Sequence, residues 1–372
     1  MENFDHIFID PVTSQLTVGA GLRLSDINEM LAGTGRTMAV GNVGHIGVGG
    51  HVAVGGIGSP SRMWGTVVDQ LEEVQVVLAN GTVAVASATQ NTDLFWAMRG
   101  AGQHFGIATS FKFRTQPVPA TMTTFRFTYK GIGWRRAAEA YKSWHEFVKN
   151  PDLDRRFACD VVHSPIGMII VGTYFGPKED FDKIDFSAIF PDGNGVIDVI
   201  QDYLGEYLHR AEDAVLKIGG KLPGHFYVKS LAINEWMSNS TIDRMIEHIY
   251  TASHGTLLWA VLTDLEGGAI NDPAVGDTAF AQRNAKFYVQ GYVIDALKVS
   301  FAAKNFLRGL TELIQDEMPD STKGTYPGYI DPELDSPNEV YYGDNLPRLS
   351  KLKAVYDPKV VFWNPQALEP AY

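Results

Sequence analysis

Residues 18–65 read VGAGLRLSDINEMLAGTGRTMAVGNVGHIGVGGHVAVGGIGSPSRMWG, and 13 of the chain's 37 glycines fall between Gly19 and Gly65. Glycine at this density marks backbone in unusual conformations, or backbone brought very close to something flat or anionic. A run of tight turns in a glycine-rich β region fits the same composition. A flexible linker does not, because Ile46, Val48, Val52, Val54 and Ile57 interleave with the glycines and serine is scarce. Nor is this a dinucleotide fingerprint. Gly19-Ala-Gly21 leads to Ser25, an expected N-cap for a helix over 26–32, without the third glycine at the required spacing. Phosphate-loop, zinc-protease and serine-hydrolase signatures are absent as well.

Working outward, Ile7–Ile9 and Gln15–Val18 read as strands around the Asp10-Pro11 turn. Glu73–Leu78 and Thr82–Ala86 flank Asn80-Gly81, a strong hairpin signal. A short helix over Asp93–Arg99, capped by Asn91 or Thr92, stops at Gly100. A sharp turn then enters a strand over Ile107–Arg114, and Thr115-Gln-Pro-Val-Pro119 closes the region.

Beyond it the period changes. Trp134, Ala138, Tyr141, Trp144, His145 and Val148 keep helical spacing up to Asn150-Pro151. Strand-like runs follow at 157–163, 167–175, 224–230 and 256–264. Amphipathic helices are expected around Ile242–Ile249, over 295–318 and over 346–355. Antiparallel strands with helices on one face predict an α+β fold. The expected organisation is residues 1–120, 121–325 and a C-terminal segment 326–372.

The 372 residues are 45 % hydrophobic and 20 % charged, which are globular values. A net charge of −12 argues against nucleic acid as a partner. The single cysteine, Cys159, excludes a disulfide framework and multi-cysteine metal sites and reads as a small buried hydrophobe. No metal is expected, since no third ligand accompanies His45 and His51. No run of 18 apolar residues predicts a membrane span. No signal peptide is visible in the chain as written, which as such would be cytoplasmic, and the sequence leaves the compartment open.

The motifs together resemble the berberine bridge enzyme-like FAD-linked oxidases of the vanillyl-alcohol oxidase superfamily, particularly the fungal branch with the glucooligosaccharide oxidases. The resemblance rests on Gly47-Val-Gly-Gly-His51, Gly55-Gly-Ile-Gly58, Ser61-Arg-Met-Trp-Gly65, Asp93 through Gly102 and Phe105-Gly-Ile107. Further along it rests on Glu266-Gly-Gly-Ala-Ile270, Thr278 through Arg283, Tyr329-Ile-Asp-Pro332, Tyr341 through Pro347 and Phe362-Trp-Asn-Pro365.

The resemblance implies a two-domain FAD-linked oxidase fold of the PCMH type. An N-terminally incomplete flavin domain would be joined to an antiparallel-sheet substrate domain. It implies flavin contacts from Gly47, Gly49, Gly50, His51, Gly55, Gly56, Gly58 and Ser61, and from Gly100, Gly102, Gly106, Ile107 and Asn364. FAD is expected without a covalent link. Val43 stands where the family's anchoring cysteine lies, and the family's Arg-x-Gly-Gly-His loop precedes the family position of Met1. The implied reaction is oxidation of an alcohol, hemiacetal or amine carbon of a small molecule, in secondary metabolism. A base takes the proton, flavin N5 takes hydride and oxygen reoxidises the flavin. Tyr329 matches the family's base and Tyr326 opens the same motif, although Gly328 replaces its asparagine. Many relatives are secreted. An incomplete sheet would favour a homodimer or a separately supplied N-terminal segment. The alternative functions are a flavin-independent isomerase or cyclase reusing the pocket, or a non-catalytic binding protein.

Overall fold

The computed structural model describes residues 1–190, 193–200, 203, 205 and 224–372. Residues up to 117 supply β1 (Ile7–Ile9), β2 (Gln15–Gly19), the two-residue β3 (Arg36–Thr37), β4 (Leu71–Val77), β5 (Val83–Ser87), β6 (Ile107–Arg114) and the two-residue β7 (Gln116–Pro117). Five of them form an antiparallel sheet in the order β1-β2-β6-β4-β5. Leu16, Val18, Val74, Val76, Phe111 and Phe113 alternate onto its core face. Tyr326, Tyr341, Tyr342, Leu349 and Leu368 return from the C-terminal segment to the same core.

The second sheet takes β8 (Met122–Tyr129), β9 (Phe157–Ser164), β10 (Gly167–Tyr174), β11 (Asn194–Ile200), β12 (His225–Ile233), β13 (Leu258–Leu265) and β14 (Phe287–Asp295). Their order is β11-β8-β10-β9-β13-β14-β12, and every pairing is antiparallel. One face carries Phe125, Phe157, Val161, Ile170, Val289 and Val293. The helices Trp134–Val148, Asn239–Thr251 and Phe301–Glu317 cover it. Ser238 and Ser300 cap the last two by accepting from the amides of Thr241 and Ala303. The opposite face turns toward the glycine segment. No helix among the described residues is long and apolar enough to cross a membrane.

The fold class is the expected one, with differences at local signals. The first helix runs Leu24–Leu31 with Arg23, not Ser25, as N-cap. The Asp26 carboxylate accepts from the Arg23 amide at 2.8 Å and so fixes the start. The long helix starts at Phe301 rather than 295. Leu297 is 85 % exposed in a turn where Asp295 Oδ1 accepts its amide proton. Two short helices, Val48–Ala53 and Ser61–Trp64, sit within the glycine segment.

Two buried arginines join the halves. Arg62 Nε donates to the Phe157 carbonyl at 2.7 Å, and Nη1 donates to the Glu266 carbonyl. Arg283 is 1 % exposed and grips both Asp69 oxygens at 2.7 and 2.8 Å. It donates further to the Ile270 carbonyl and the Thr278 hydroxyl. Burial makes such a pair costly to break from one side, because the remaining charge is stranded. Arg283→Met is therefore expected to lower unfolding stability by about 3 kcal/mol in denaturant titration, and Asp69→Asn in the same chain to restore part of the loss.

Candidate active site

Where the glycine segment meets the uncovered sheet face there is a cavity of about 260 Å³. One wall is made by Gly41, Asn42, Val43 and Ile46 together with Ile57, Gly58 and Ser59. The facing wall is built by strand alternation. Asp160 and Val162 come from β9, Val171 from β10, Leu262 and Asp264 from β13, and Gln290 and Tyr292 from β14. Glu266, just beyond β13, and Tyr329 complete it.

Register brings the acids together. Asp160 and Asp264 are direct partners across antiparallel strands, an arrangement that disfavours two full charges. Burial, then the charges of Asp160 and Glu266, push the Asp264 carboxyl well above the usual carboxylate range. Glu266 is pushed up by burial and by Asp160, with Arg62 opposing. Gln290 Nε2 donates to Asp264, and the Tyr292 hydroxyl donates to Gln290 Oε1. Among the described residues no group of three ligating side chains is arranged to hold a metal ion.

Tyr329 enters from a tight turn in which its amide donates to the Tyr326 carbonyl at 2.9 Å. The two rings stack edge to face at 5.0 Å. The Tyr326 hydroxyl accepts from the Gly56 amide at 3.1 Å, which ties the turn to the glycine segment. Charge pins the far end of the turn. Lys229 donates to Asp331 at 2.7 Å, and Arg308 grips Glu333 with bonds of 2.6 and 2.9 Å. Burial above all, then Tyr292 and Asp264, raise the Tyr329 hydroxyl well above 10. Tyr329 is therefore a protonated donor in this setting.

The other sequence candidates divide. Gly58 lines the cavity, and its amide donates to the buried Ser61 hydroxyl at 3.0 Å. Gly47 and Gly50 flank open space, while Gly49 packs on the Ala20 carbonyl. Gly55 (φ +118°) and Gly100 (φ +126°) let two backbone stretches close on Phe280, where a Cβ would lie 2.5 and 2.3 Å from its atoms. Gly56 packs on Val67, Gly102 on Met98 and Gly106 on Val76. Ile107 is half-exposed at the start of β6, and the Asn364 side chain accepts from the Gln366 amide. None of Gly100, Gly102, Gly106, Ile107 or Asn364 lines the cavity. The buried His51 accepts from the Gly41 amide at 3.1 Å, and burial lowers it to about 4. It is a neutral lock on the wall. Cys159 is buried on β9.

The residues sequence reading missed are Asp160, Asp264, Glu266, Gln290 and Tyr292. An acid at an inward-alternating position of an expected strand was the available signal for Asp160 and Asp264.

The cavity fits the ring end of FAD. Backbone at Gly41 and Gly58 and aliphatic side chains of Val43, Ile46 and Ile57 offer a low, flat wall, with hydroxyl and carboxyl groups opposite. Val43 belongs to that wall. The described lining residues include no lysine or arginine, so they do not account for the diphosphate.

Fold and site together define a flavin-dependent oxidoreductase. An FAD binding domain family matches residues 1–87, and the family described as berberine and berberine like matches 325–369. The FAD-linked oxidoreductase sorD of Penicillium rubens is 34 % identical over all of this chain and 80 % of its own length. The xylooligosaccharide oxidase of Thermothelomyces thermophilus is 31 % identical over 100 % of this chain and 77 % of its own. Among solved structures, a chitooligosaccharide oxidase superposes with TM-score 0.89 at 26 % identity, covering 100 % of this chain and 81 % of its own. A xylooligosaccharide oxidase from Myceliophthora thermophila in complex with xylobiose gives 0.89 at 28 % identity with the same coverage. The chain belongs to the berberine bridge enzyme-like family of FAD-linked oxidoreductases.

The wall lock has a pH signature. Folded His51 sits near 4 against an unfolded value of 6.5, so the folded state binds fewer protons between those values. Its stability contribution is whole above about 6.5 and is lost as pH falls toward about 4. His51→Gln keeps an acceptor for Gly41. Urea titrations at pH 7 and pH 5 are expected to show the variant losing about 2 kcal/mol less than the parent between the two.

Proposed function

We propose that this cavity oxidises the carbinol carbon of a small alcohol. The observation that carries the reading is the meeting of Tyr329 with Asp264, Gln290 and Tyr292 in one enclosed space against the glycine-segment wall. Val43, Ile46, Ile57, Gly58 and Ser59 would hold the ring of FAD, which when bound accepts hydride from the substrate carbon. The work left to the chain is to orient the alcohol, exclude water and take its hydroxyl proton.

Tyr329 reaches the cavity as a neutral phenol. It receives the substrate proton only as its own proton moves on. Asp264 is the fitting recipient, because a buried carboxyl with a raised proton affinity holds a proton nearer neutral pH than an exposed one. Gln290 fixes the orientation of Asp264, and Tyr292 fixes Gln290. Lys229 and Arg308 hold the Tyr329 turn in register with this set. The oligosaccharide oxidases among the relatives support an alcohol or hemiacetal carbon as the target.

Oxygen uptake by FAD-supplemented protein, screened over small primary alcohols and aldoses, provides the test. Tyr329→Phe is expected to lower kcat by about 100-fold or more with a modest change in KM. Asp264→Asn is expected to lower kcat and abolish the acid limb of its pH profile. Unchanged turnover in both variants would remove the pair from the reaction.

A further inference from the structure

We propose that Glu266 determines specificity in this cavity by taking a second hydrogen-bond donor of the substrate, a hydroxyl or an ammonium, while the surrounding acids turn carboxylates away. The proposal rests on the oxidase reading of the same cavity.

Glu266 is 3 % exposed and lines the cavity, and its Oε2 has no hydrogen-bond partner. A buried carboxyl oxygen without a partner calls for an occupant, since native folds rarely leave such groups unmet. The backbone fixes the side chain in place. The Glu266 amide donates to the Lys286 carbonyl at 2.8 Å, and its carbonyl accepts from Arg62. Arg62 also serves Phe157, so its guanidinium is engaged on two carbonyls. The charge of Arg62 lowers the proton affinity of Glu266, although burial and Asp160 outweigh it.

The rest of the lining gives the occupant its character. Asp160, Asp264 and Glu266 present three carboxyl groups, and no described lining residue is a lysine, arginine or histidine. A carboxylated ligand would add like charge to a poorly solvated space. Val162, Ala260 and Leu262 form a small buried apolar cluster on the same sheet face. An aliphatic or single-ring body fits against it, opposite the wall assigned to the flavin ring. The substrate class is thus a compact alcohol with an apolar body and a separate donor group, neutral or cationic.

Four benzyl alcohols provide the probes, bearing para methyl, hydroxyl, aminomethyl or carboxylate groups. Calorimetry on the full chain reads binding, and oxygen uptake with FAD reads turnover separately. The hydroxyl and aminomethyl compounds are expected to bind about ten-fold tighter than the methyl compound, and the carboxylate weakest. Glu266→Leu is expected to erase the ten-fold preference. Glu266→Gln, which conserves shape and folding, is expected to keep the hydroxyl preference, lose the aminomethyl one and admit the carboxylate. The same ranking in parent and both variants would overturn the proposal, as would no binding by any probe. The expected ranking without oxygen uptake would uphold Glu266 and remove the oxidase reading instead.

Discussion

The guanidinium of Arg62 holds the molecule's two sheets in working relation. It leaves the short helix Ser61–Trp64 of the glycine segment and ends on the carbonyls of Phe157, at the start of β9, and Glu266, at the end of β13. Burial lowers it to about 10, so it stays charged at neutral pH. A charged group so placed demands acceptors, and backbone oxygens of Phe157 and Glu266 supply them. The strands that carry Asp160 and Asp264 are thereby anchored opposite the wall from Ile57 to Ser59. The cavity is the gap this pin keeps open, and Arg283 on Asp69 repeats the junction nearby.

The site's chemistry follows from confinement. Carboxyl groups and phenols that would titrate ordinarily in water are brought together on one sheet face, and burial raises the proton affinity of each. Tyr329 therefore does not act alone. Its proton has a destination because Asp264 shares the cavity, and its position is kept by ion pairs on the turn that carries it. The apolar part of the floor and the aliphatic glycine-segment wall reduce the polar surroundings of these groups, which strengthens each polar contact between them.

Much of this architecture was legible in the sequence. Helical spacing from Trp134 to Val148 and the run Ile107–Arg114 were read with their observed bounds, because a single face of each is buried and the period is clean. β14 was missed because it is buried on both faces, so alternation disappears, and Gly291 sits in its middle against Leu307. The helices within the glycine segment were missed because six and four residues are too few to show a period. Tyr329 was found by motif. Asp160 and Asp264 were not, since sequence shows that each lies on a strand but not that the two strands pair in the register that makes them neighbours. The glycines are expected as ligand contacts, and at Gly55, Gly56, Gly100 and Gly106 an added Cβ would also meet protein atoms. Composition alone cannot distinguish the two kinds of approach.

The most direct test of the account is a crystal structure of the chain with FAD. The account predicts the flavin ring between the Ile57–Ser59 wall and the β13–β14 face, within reach of Tyr329. A flavin ring bound anywhere else, with this cavity closed or filled by side chains, would contradict it.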